Sequence, residues 1–562
     1  MPPTSAFTYR DLKLLAQSSP DSPLRVIALV DFDAFYAQCE TVRRGLPPDQ
    51  PLAVQQWNAI IALNYPAKKR GLKRGISVEE AKATCPGLIL QHVATRREGE
   101  TGWAYRPDVL QHMKTDKAAL DPYRLESRKT FKLVHELLPP PPIQRIEKAG
   151  VDEFFLDLSA QVHSILLERH PYLHPESHAP DDPLPAPDTS VLDWSTDHLV
   201  PLDPTAEEDI NPPDWDDFTL HIGASIVRSL RQSILTTLHY TTSAGLARTK
   251  SLAKLAASAH KPACQTVVRT AATPAFLATH KFTKIRGLAR SLGSQVVAAF
   301  NTDRVSDLLA VPLSSLVAEL GPEQGAWAHG VIRGIDTSEV VPRTALRSML
   351  AQKTFVPPLR GPQEAEKWLR TFARDLCARM EEQYAEGFER RPGRVALHHH
   401  IRGRFGPTRS KQMGIPAGVK IGEEMLVGML RVLLGRVEEE GVSWPCMALG
   451  VSLGGFGEEE KEGRIEDFFG KRKLSVNERD EGPRKMGVAP SERSRSGEGD
   501  LEAFDGERRV LLGSGEREKR VAAGNEYQCP HCEEAVPSEQ VLEHLDWHVA
   551  LELQSGAEDA GG

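Results

Sequence analysis

Hydrophobic and polar positions along the chain follow two alternating periods. Residues 24–33, LRVIALVDFD, form a short β-branched run ending in carboxylates, the pattern of a buried strand with acids at its C-terminal end. AFYAQCETVRRG then takes helical spacing, and PLAVQQW is a second strand candidate. IIALNYPAKKRGLKRG leads into the helix VEEAKATC, closed by Pro86-Gly87. DPYRLESRKTFKLVHELL predicts a long helix, prolines at 139–142 break it, and IEKAGVDEFFLDLS reads as a strand carrying two adjacent acids. A helix (IGASIVRSLRQSILTTL), a strand (TSAGLA), a helix (KSLAKLAASAH) and a strand (QTVVR) complete an α/β unit. A helical segment over 275–335 and a further α/β segment over 345–456 follow, so the fold class is α/β (α+β) and multidomain.

Length and composition refine this picture. A chain of 562 residues exceeds a single core, which suggests about three to five domains. From 160 to 217 the residues turn to Pro, Asp, His and Ser without periodicity, which predicts an insertion outside the core that contributes no chemistry. Residues 457–524 read as a charged, disordered linker. Lys plus Arg total 69 against 77 Asp plus Glu, a net charge of −8, so any DNA-binding surface must be local. Five cysteines (Cys39, Cys85, Cys264, Cys377, Cys446) stand singly and Cys529 and Cys532 form a CxxC, which suits a reducing compartment and one metal site. The N-terminus lacks an apolar signal core and no apolar run approaches the roughly 20 residues of a membrane span, so a soluble intracellular protein without membrane partners is expected.

Candidate chemistry gathers at the acidic strand ends. If the strands bearing Asp31 and Asp152-Glu153 are neighbours, three carboxylates meet at one end of a sheet and present the hard oxygens that Mg²⁺ prefers. Taken alone, Asp31 reads first as a polar strand terminus facing water. Asp152 and Glu153 share a site only near a turn or bulge, because successive strand residues point to opposite faces. Tyr65, Lys68 and Arg74 in NYPAKKRGLKRG suit a triphosphate or form an exposed basic patch. In FTKIRGLARSLG, Gly287 and Gly293 either admit phosphates to backbone N–H groups or serve helix packing. ALHHHIRGRFGPTRSKQM sets Arg402, Arg404, Arg409 and Lys411 among alternating residues, and His398, His399 and His400 there read as strand-facing or solvated. Cys529 and Cys532, eleven residues, then His544 and His548 one helical turn apart have the spacing of a structural zinc site.

VDFDAFYAQCE, IIALNYPAKKRGLKRG, VDEFFLDLS, SAGLARTKSLAKLAASAHKP and FTKIRGLARSLG occur in the order found in Y-family DNA polymerases. The chain resembles that family over roughly 24–456, most of all its branch that ends in a ubiquitin-binding finger. The resemblance implies a right-hand-like polymerase with a ferredoxin-like palm (24–50 and 96–274), small fingers (51–95), a helical thumb (275–340) and an α/β little finger (345–456). A two-Cys two-His ubiquitin-binding finger (525–556) would follow the linker. Asp31, Asp152 and Glu153, with the carbonyl of Phe32, would hold two catalytic Mg²⁺ ions. Tyr36 falls at the steric-gate position that excludes a ribose 2′-OH, and Tyr65, Lys68, Arg74 and Lys261 would contact the triphosphate. Gln56 and Ile61 would line the floor and roof of the nascent base pair. The segment with Arg402, Arg404, Arg409 and Lys411 resembles a little-finger strand pair that would grip duplex backbone.

Two departures from the family are Lys68, where Arg is common, and Gly150, where Ser is. The finger would bind one Zn²⁺ through Cys529, Cys532, His544 and His548, and touch ubiquitin through Asp546. The implied partners are primer-template DNA, deoxynucleoside triphosphates and a ubiquitinated sliding clamp, and the implied location is the nucleus. Ile465, Phe468 and Phe469 resemble a clamp-binding box in which Glu462 replaces the usual Gln, or are a chance apolar cluster; KRK at 471–473 is too short to define an import signal. Two other readings stand beside translesion synthesis opposite pyrimidine dimers: a catalytically weak ubiquitin-binding scaffold, and another Y-family specificity.

Overall fold

The structure, a computed structural model, describes residues 4–100, 102–174, 178–202, 213–342, 346–388, 390–401, 408–458, 526–528 and 535–537. The apolar run becomes the strand Ile27–Phe32, which lies inside a six-stranded sheet. The sheet runs in the order His198–Leu199, Gln265–Val267, Thr242–Ala247, Ile27–Phe32, Glu153–Asp157, Arg145–Lys148. Its central strand is antiparallel to both neighbours. The period-2 alternation sends Ala28 and Val30 to one core and Ile27 and Leu29 to the other, so both faces of the sheet are covered.

On the first face lie helices Phe35–Arg43, Asp121–Leu137, Ser159–Arg169 and Trp215–Leu238, which contribute Val134, Val162, Trp215 and Val227 to the core. On the second lies helix Lys250–Ala259. A Cβ on Gly245 would stand 2.2 Å from both the carbonyl oxygen of Ala253 and the amide nitrogen of Ala257. Only glycine lets this helix sit so close on the sheet, and the helix delivers lysines to the sheet's edge. Below it, helices Thr273–Ala278, Arg290–Phe300, Leu313–Leu320 and Pro322–Val331 close around Phe282, Ile285, Leu288 and Leu316.

Two further units have cores of their own. Leu52–Gln56 pairs with Ala59–Leu63 and Ile89–His92 over Ala53, Ile60, Leu63 and Val78. A four-stranded sheet, in the order Ser348–Leu359, Cys446–Glu458, Arg390–Ile401, Thr408–Gly414, is backed by helices Pro362–Ala385 and Glu423–Glu439. Helix Pro362–Ala385 carries the buried Asp375, which pairs with Arg96 and Lys117 at 3.0 Å each. Lys353 donates to the carbonyls of Met113 and Asp116 and lies over the rings of Trp57 and Trp368.

The expectation that 160–217 lies outside the core is corrected for its described residues. Val162, Leu166, Leu173, Leu184 and Trp215 are buried in the main core, the Trp215 indole donates to the carbonyl of Pro185 at 2.7 Å, and His198–Leu199 extends the large sheet. Pro183–Pro185 pairs with an N-terminal strand, Thr4–Thr8. Val162 and Leu166 belong to helix Ser159–Arg169, whereas Leu173, Leu184 and the pair His198–Leu199 are anchors on short pieces that leave no periodicity to read. Of the finger, only the antiparallel hairpin Glu526–Gln528 and Ala535–Pro537 is described; Cys529, Cys532, His544, Asp546 and His548 lie outside the described residues, as do Arg402, Arg404, Ile465, Phe468, Phe469 and 471–473. Among the described residues no helix is long and apolar enough to cross a membrane.

Candidate active site

The three carboxylates are brought to one edge by the sheet itself. Asp31 stands opposite Glu153 in the ladder, and the amide of Phe32 donates to the carbonyl of Asp152 at 2.8 Å. Asp152 is not inside a strand: the amides of Ala149 and Gly150 both donate to the carbonyl of Glu153 at 3.1 Å, forming a turn that ends at the first strand residue. This turn lets two adjacent acids share a site. Gly150 fits narrowly between them, since a Cβ there would lie 3.3 Å from both Asp152 Oδ1 and Glu153 Cγ.

Clustering has an electrostatic cost. Burial pushes the Asp31 carboxyl up to about 7; Lys261 opposes that rise, while Glu153 and Asp152 add to it. Burial and then Glu153 raise Asp152 as well. Two ammonium groups answer this charge: Lys261 contacts Asp31, and Lys254 Nζ lies 2.9 Å from Glu153 Oε1. Among the described residues no three His, Cys, Asp or Glu side chains already form a metal cage. The donor set, three carboxylates beside a strand-end carbonyl at Phe32, is all hard oxygen and fits Mg²⁺.

Lys261 is held by a residue that the sequence patterns do not single out. Buried Asp33 accepts from the Ser243 hydroxyl at 2.7 Å and from the Ala263 amide at 2.8 Å, tying the turn that bears Lys261 to the central strand. Lys254 was also missed, though its signal is legible. Lys250 and Lys254 are four residues apart on one helix face, and they meet Glu147 and Glu153 on the two strands of the hairpin.

Further cations that act on this site, Lys68 and Arg74, follow strand Ala59–Leu63 of the three-stranded unit. Asn64 caps helix Tyr65–Lys69, accepting from the amides of Ala67 and Leu52 at 3.1 and 3.0 Å. Lys68 Nζ lies 4.5 Å from the centre of the Tyr65 ring. Burial pushes Tyr65 up to about 12, with Asp33 and Asp31 adding to the rise. Burial lowers Lys68, and Lys261 lowers it further. Tyr65, Lys68 and Lys261 therefore share one field with the carboxylates, and exposed Arg74 acts on both Lys68 and Tyr36.

Ile61 sits at a bulge. Val54 pairs with Ala62 and Gln55 with Ile60, which leaves Ile61 unpaired and turns it with Ala62 toward the main core. Gln55 is buried and donates its amide to the carbonyl of Trp57, whereas Gln56 is half-buried at the strand end. Tyr36 is the second residue of helix Phe35–Arg43, just after Ala34 in the left-handed region at φ 51°.

Several DNA-facing expectations change. Arg409 is turned inward, donating to the Val437 carbonyl and Ser443 hydroxyl at 3.2 Å, and Lys411 pairs with Glu440. These two side chains stitch strand Thr408–Gly414 to the end of helix Glu423–Glu439. His398 bonds Ser452 at 2.8 Å and His399 is buried edge-on to Trp444, so the histidines are strand residues. Gly287 and Gly293 are both required by packing: a Cβ would fall 2.6 Å from the Trp327 ring and 2.2 Å from the Leu288 carbonyl oxygen.

Fold and site together define a mixed α/β protein in which three carboxylates at a sheet edge share one electrostatic field with Lys68, Lys261 and Tyr65. Comparison with known proteins agrees: residues 30–258 match the impB/mucB/samB family, 346–466 match that family's C-terminal domain, and 525–555 match the ubiquitin-binding zinc finger. The chain belongs to this family, the Y-family polymerases, and ends in a finger of the ubiquitin-binding type. It is 32% identical to N-acetyltransferase eso1 of Schizosaccharomyces pombe, over 98% of this chain and 64% of that protein. It is 34% identical to DNA polymerase eta of Saccharomyces cerevisiae (52% of this chain, 50% of that protein) and 31% to DNA polymerase eta of Arabidopsis thaliana (64% and 50%). The chain thus spans between half and just under two thirds of the length of these relatives.

Proposed function

We propose that this chain is a template-directed translesion DNA polymerase of the eta type, inserting deoxynucleotides opposite damaged bases such as pyrimidine dimers. The observation that carries the reading is the juxtaposition of Asp31, Asp152 and Glu153 with Lys68, Lys261 and Tyr65 in one electrostatic field at the sheet's edge. In this reading the six-stranded sheet is the palm, the three-stranded unit the fingers, the helices after Thr273 the thumb, and the four-stranded sheet the little finger.

The primer 3′-hydroxyl attacks the α-phosphate of the incoming nucleotide and pyrophosphate leaves. Asp31, Asp152 and Glu153, with the Phe32 carbonyl, would hold two Mg²⁺ ions, which supply charge neutralisation at the attacking and leaving oxygens. Tyr65, Lys68, Arg74 and Lys261 grip the triphosphate; a lysine at 68 supplies charge without the bidentate fork of an arginine. Gln56 and Ile61 bound the nascent pair. Tyr36 blocks the space a 2′-hydroxyl needs. The acetyl transfer in the name of the fission-yeast relative belongs to that protein, whereas this site suits phosphoryl chemistry.

At the other end, Cys529, Cys532, His544 and His548 would bind one structural Zn²⁺, and Asp546 with its apolar neighbours would engage ubiquitin on a sliding clamp in the nucleus, with Ile465, Phe468 and Phe469 as a second clamp contact. The test is primer extension on matched undamaged and thymine-dimer templates, with wild type beside Asp152→Ala/Glu153→Ala. Bypass abolished by the double change is the expected result. A folded, DNA-binding wild type that extends neither template would favour the scaffold, and stalling only at the dimer would favour another family specificity.

A further inference from the structure

Behind Tyr36 lies a buried polar network that this reaction, as set out above, does not use. The Tyr36 ring stacks on Tyr123 with centroids 4.2 Å apart and planes 16° from parallel. The Tyr123 hydroxyl donates to Glu40 Oε1 at 2.8 Å, and Tyr105 donates to the same oxygen at 2.7 Å. The second oxygen, Oε2, accepts from Arg43 Nε at 2.8 Å, and the Arg43 guanidinium lies 3.8 Å from the centre of the Tyr105 ring. Glu40 has no exposed surface and Tyr123 is 1% exposed.

A carboxylate so fully removed from water is costly unless every lone pair is answered, and an apolar side chain would fill the same space at less cost. Here both oxygens are answered, and what the arrangement fixes is the Tyr123 ring. Tyr36 and Glu40 are four residues apart, so they rise from the same face of one helix; Tyr123 closes the third side. A steric gate discriminates only if it cannot recede. Stacked against Tyr36, Tyr123 blocks one direction of retreat, and its hydroxyl anchor at Glu40 prevents it from yielding in turn.

We infer that Glu40 is a positioning residue for sugar selection, acting through Tyr123 to hold the Tyr36 gate rigid against a ribonucleotide. The inference rests on the polymerase reading and deepens it.

The experiment measures single-nucleotide insertion of deoxy- and ribonucleotides by wild type, Tyr123→Phe, Glu40→Gln and the double variant, in the full chain. Tyr123→Phe removes one oxygen and keeps the ring, so it remains informative if Glu40→Gln folds poorly. The preference for deoxynucleotides, as a ratio of kcat/KM, is expected to fall about 10- to 150-fold in Tyr123→Phe, the scale of one hydrogen bond to a charged acceptor. The loss should appear as a lower KM for the ribonucleotide, with deoxynucleotide efficiency down by no more than about threefold, and the double variant should lose little more than the worse single one. Unchanged discrimination in folded Tyr123→Phe would overturn the inference. So would a parallel loss of both efficiencies, which a merely structural role produces. Failure of wild type to insert deoxynucleotides at all would overturn the polymerase reading and this inference with it, an outcome distinct from intact polymerisation without a change in selectivity.

Discussion

Lys254 and Glu153 meet at 2.9 Å, although Glu153 stands directly opposite Asp31 and is one of the oxygens proposed to hold Mg²⁺. The ammonium and a cation compete for the same carboxylate. Two unit charges about 4 Å apart interact by about 1 kcal/mol in water and about 4 kcal/mol near a protein surface. Lys254 is 37% exposed, which favours the lower end of that range. Lys254→Ala is therefore expected to raise apparent Mg²⁺ affinity roughly 3- to 5-fold. Calorimetric titration of the free protein, with Asp152→Ala/Glu153→Ala as the zero, reads this directly. Unchanged affinity would remove Glu153 from the proposed ligand set.

Gly287 adopts φ +81°, and a Cβ there would stand 2.6 Å from the Trp327 ring. Gly287→Ala is expected to cost about 1 kcal/mol for the backbone and about 1–3 kcal/mol for overpacking. Trp327→Ala in the same chain should recover the packing part and leave the backbone part. Thermal melts of the two single variants and the double variant separate these contributions; strict additivity would show that the two residues do not touch.

How much of this was legible depends on the range of the contact. Asp31, Asp152 and Glu153 were readable because each lies at the edge of a β-branched run, and the structure then supplied the turn at Ala149 and Gly150 that makes the adjacent acids compatible. The strand and helix order survived for the same local reason. Glu40 was not readable as a hub: its partners Tyr105 and Tyr123 lie 65 and 83 residues away. Arg409 looked like a surface cation, but its donors serve the carbonyl of Val437, which no local pattern reveals. Segment 160–217 failed differently, because isolated anchors such as Leu184 and Trp215 bury proline-rich extended chain without any repeat.

Zinc removal should separate the two ends of the chain. A finger of about 30 residues has little core of its own, so metal binding supplies most of its folding energy. Stripping zinc with a chelator that spares Mg²⁺, or substituting Cys532→Ser, is expected to abolish binding to immobilised ubiquitin while leaving extension of a primer on clamp-free DNA within about twofold. Ubiquitin binding that survives zinc loss would place the contact elsewhere in the chain.

Asp375 offers a pH test of the joint between the four-stranded unit and the rest. Its carboxylate is 1% exposed and lies 3.0 Å from both Arg96 Nε and Lys117 Nζ. Burial alone would raise its pKa, but Lys117, Arg379 and Arg96 more than offset this and hold the group well below the usual carboxylate range. The sign follows from the folded value lying below the unfolded one: the native state keeps Asp375 ionised, and the stability this confers is present above the ordinary Asp pKa of about 3.9 and lost as pH falls toward the folded value. Asp375→Asn leaves Lys117 without its carboxylate partner and Arg96 with Asp121 alone at 3.6 Å, and removing one partner of a buried pair costs about 3–5 kcal/mol. Wild type should therefore melt well above Asp375→Asn, by a margin that holds from pH 7 to about 5 and shrinks below about 4 as the unfolded chain takes up its proton. A margin that instead widened on acidification would mean that Asp375 is protonated more readily in the fold than out of it, and that the three cations do not govern it.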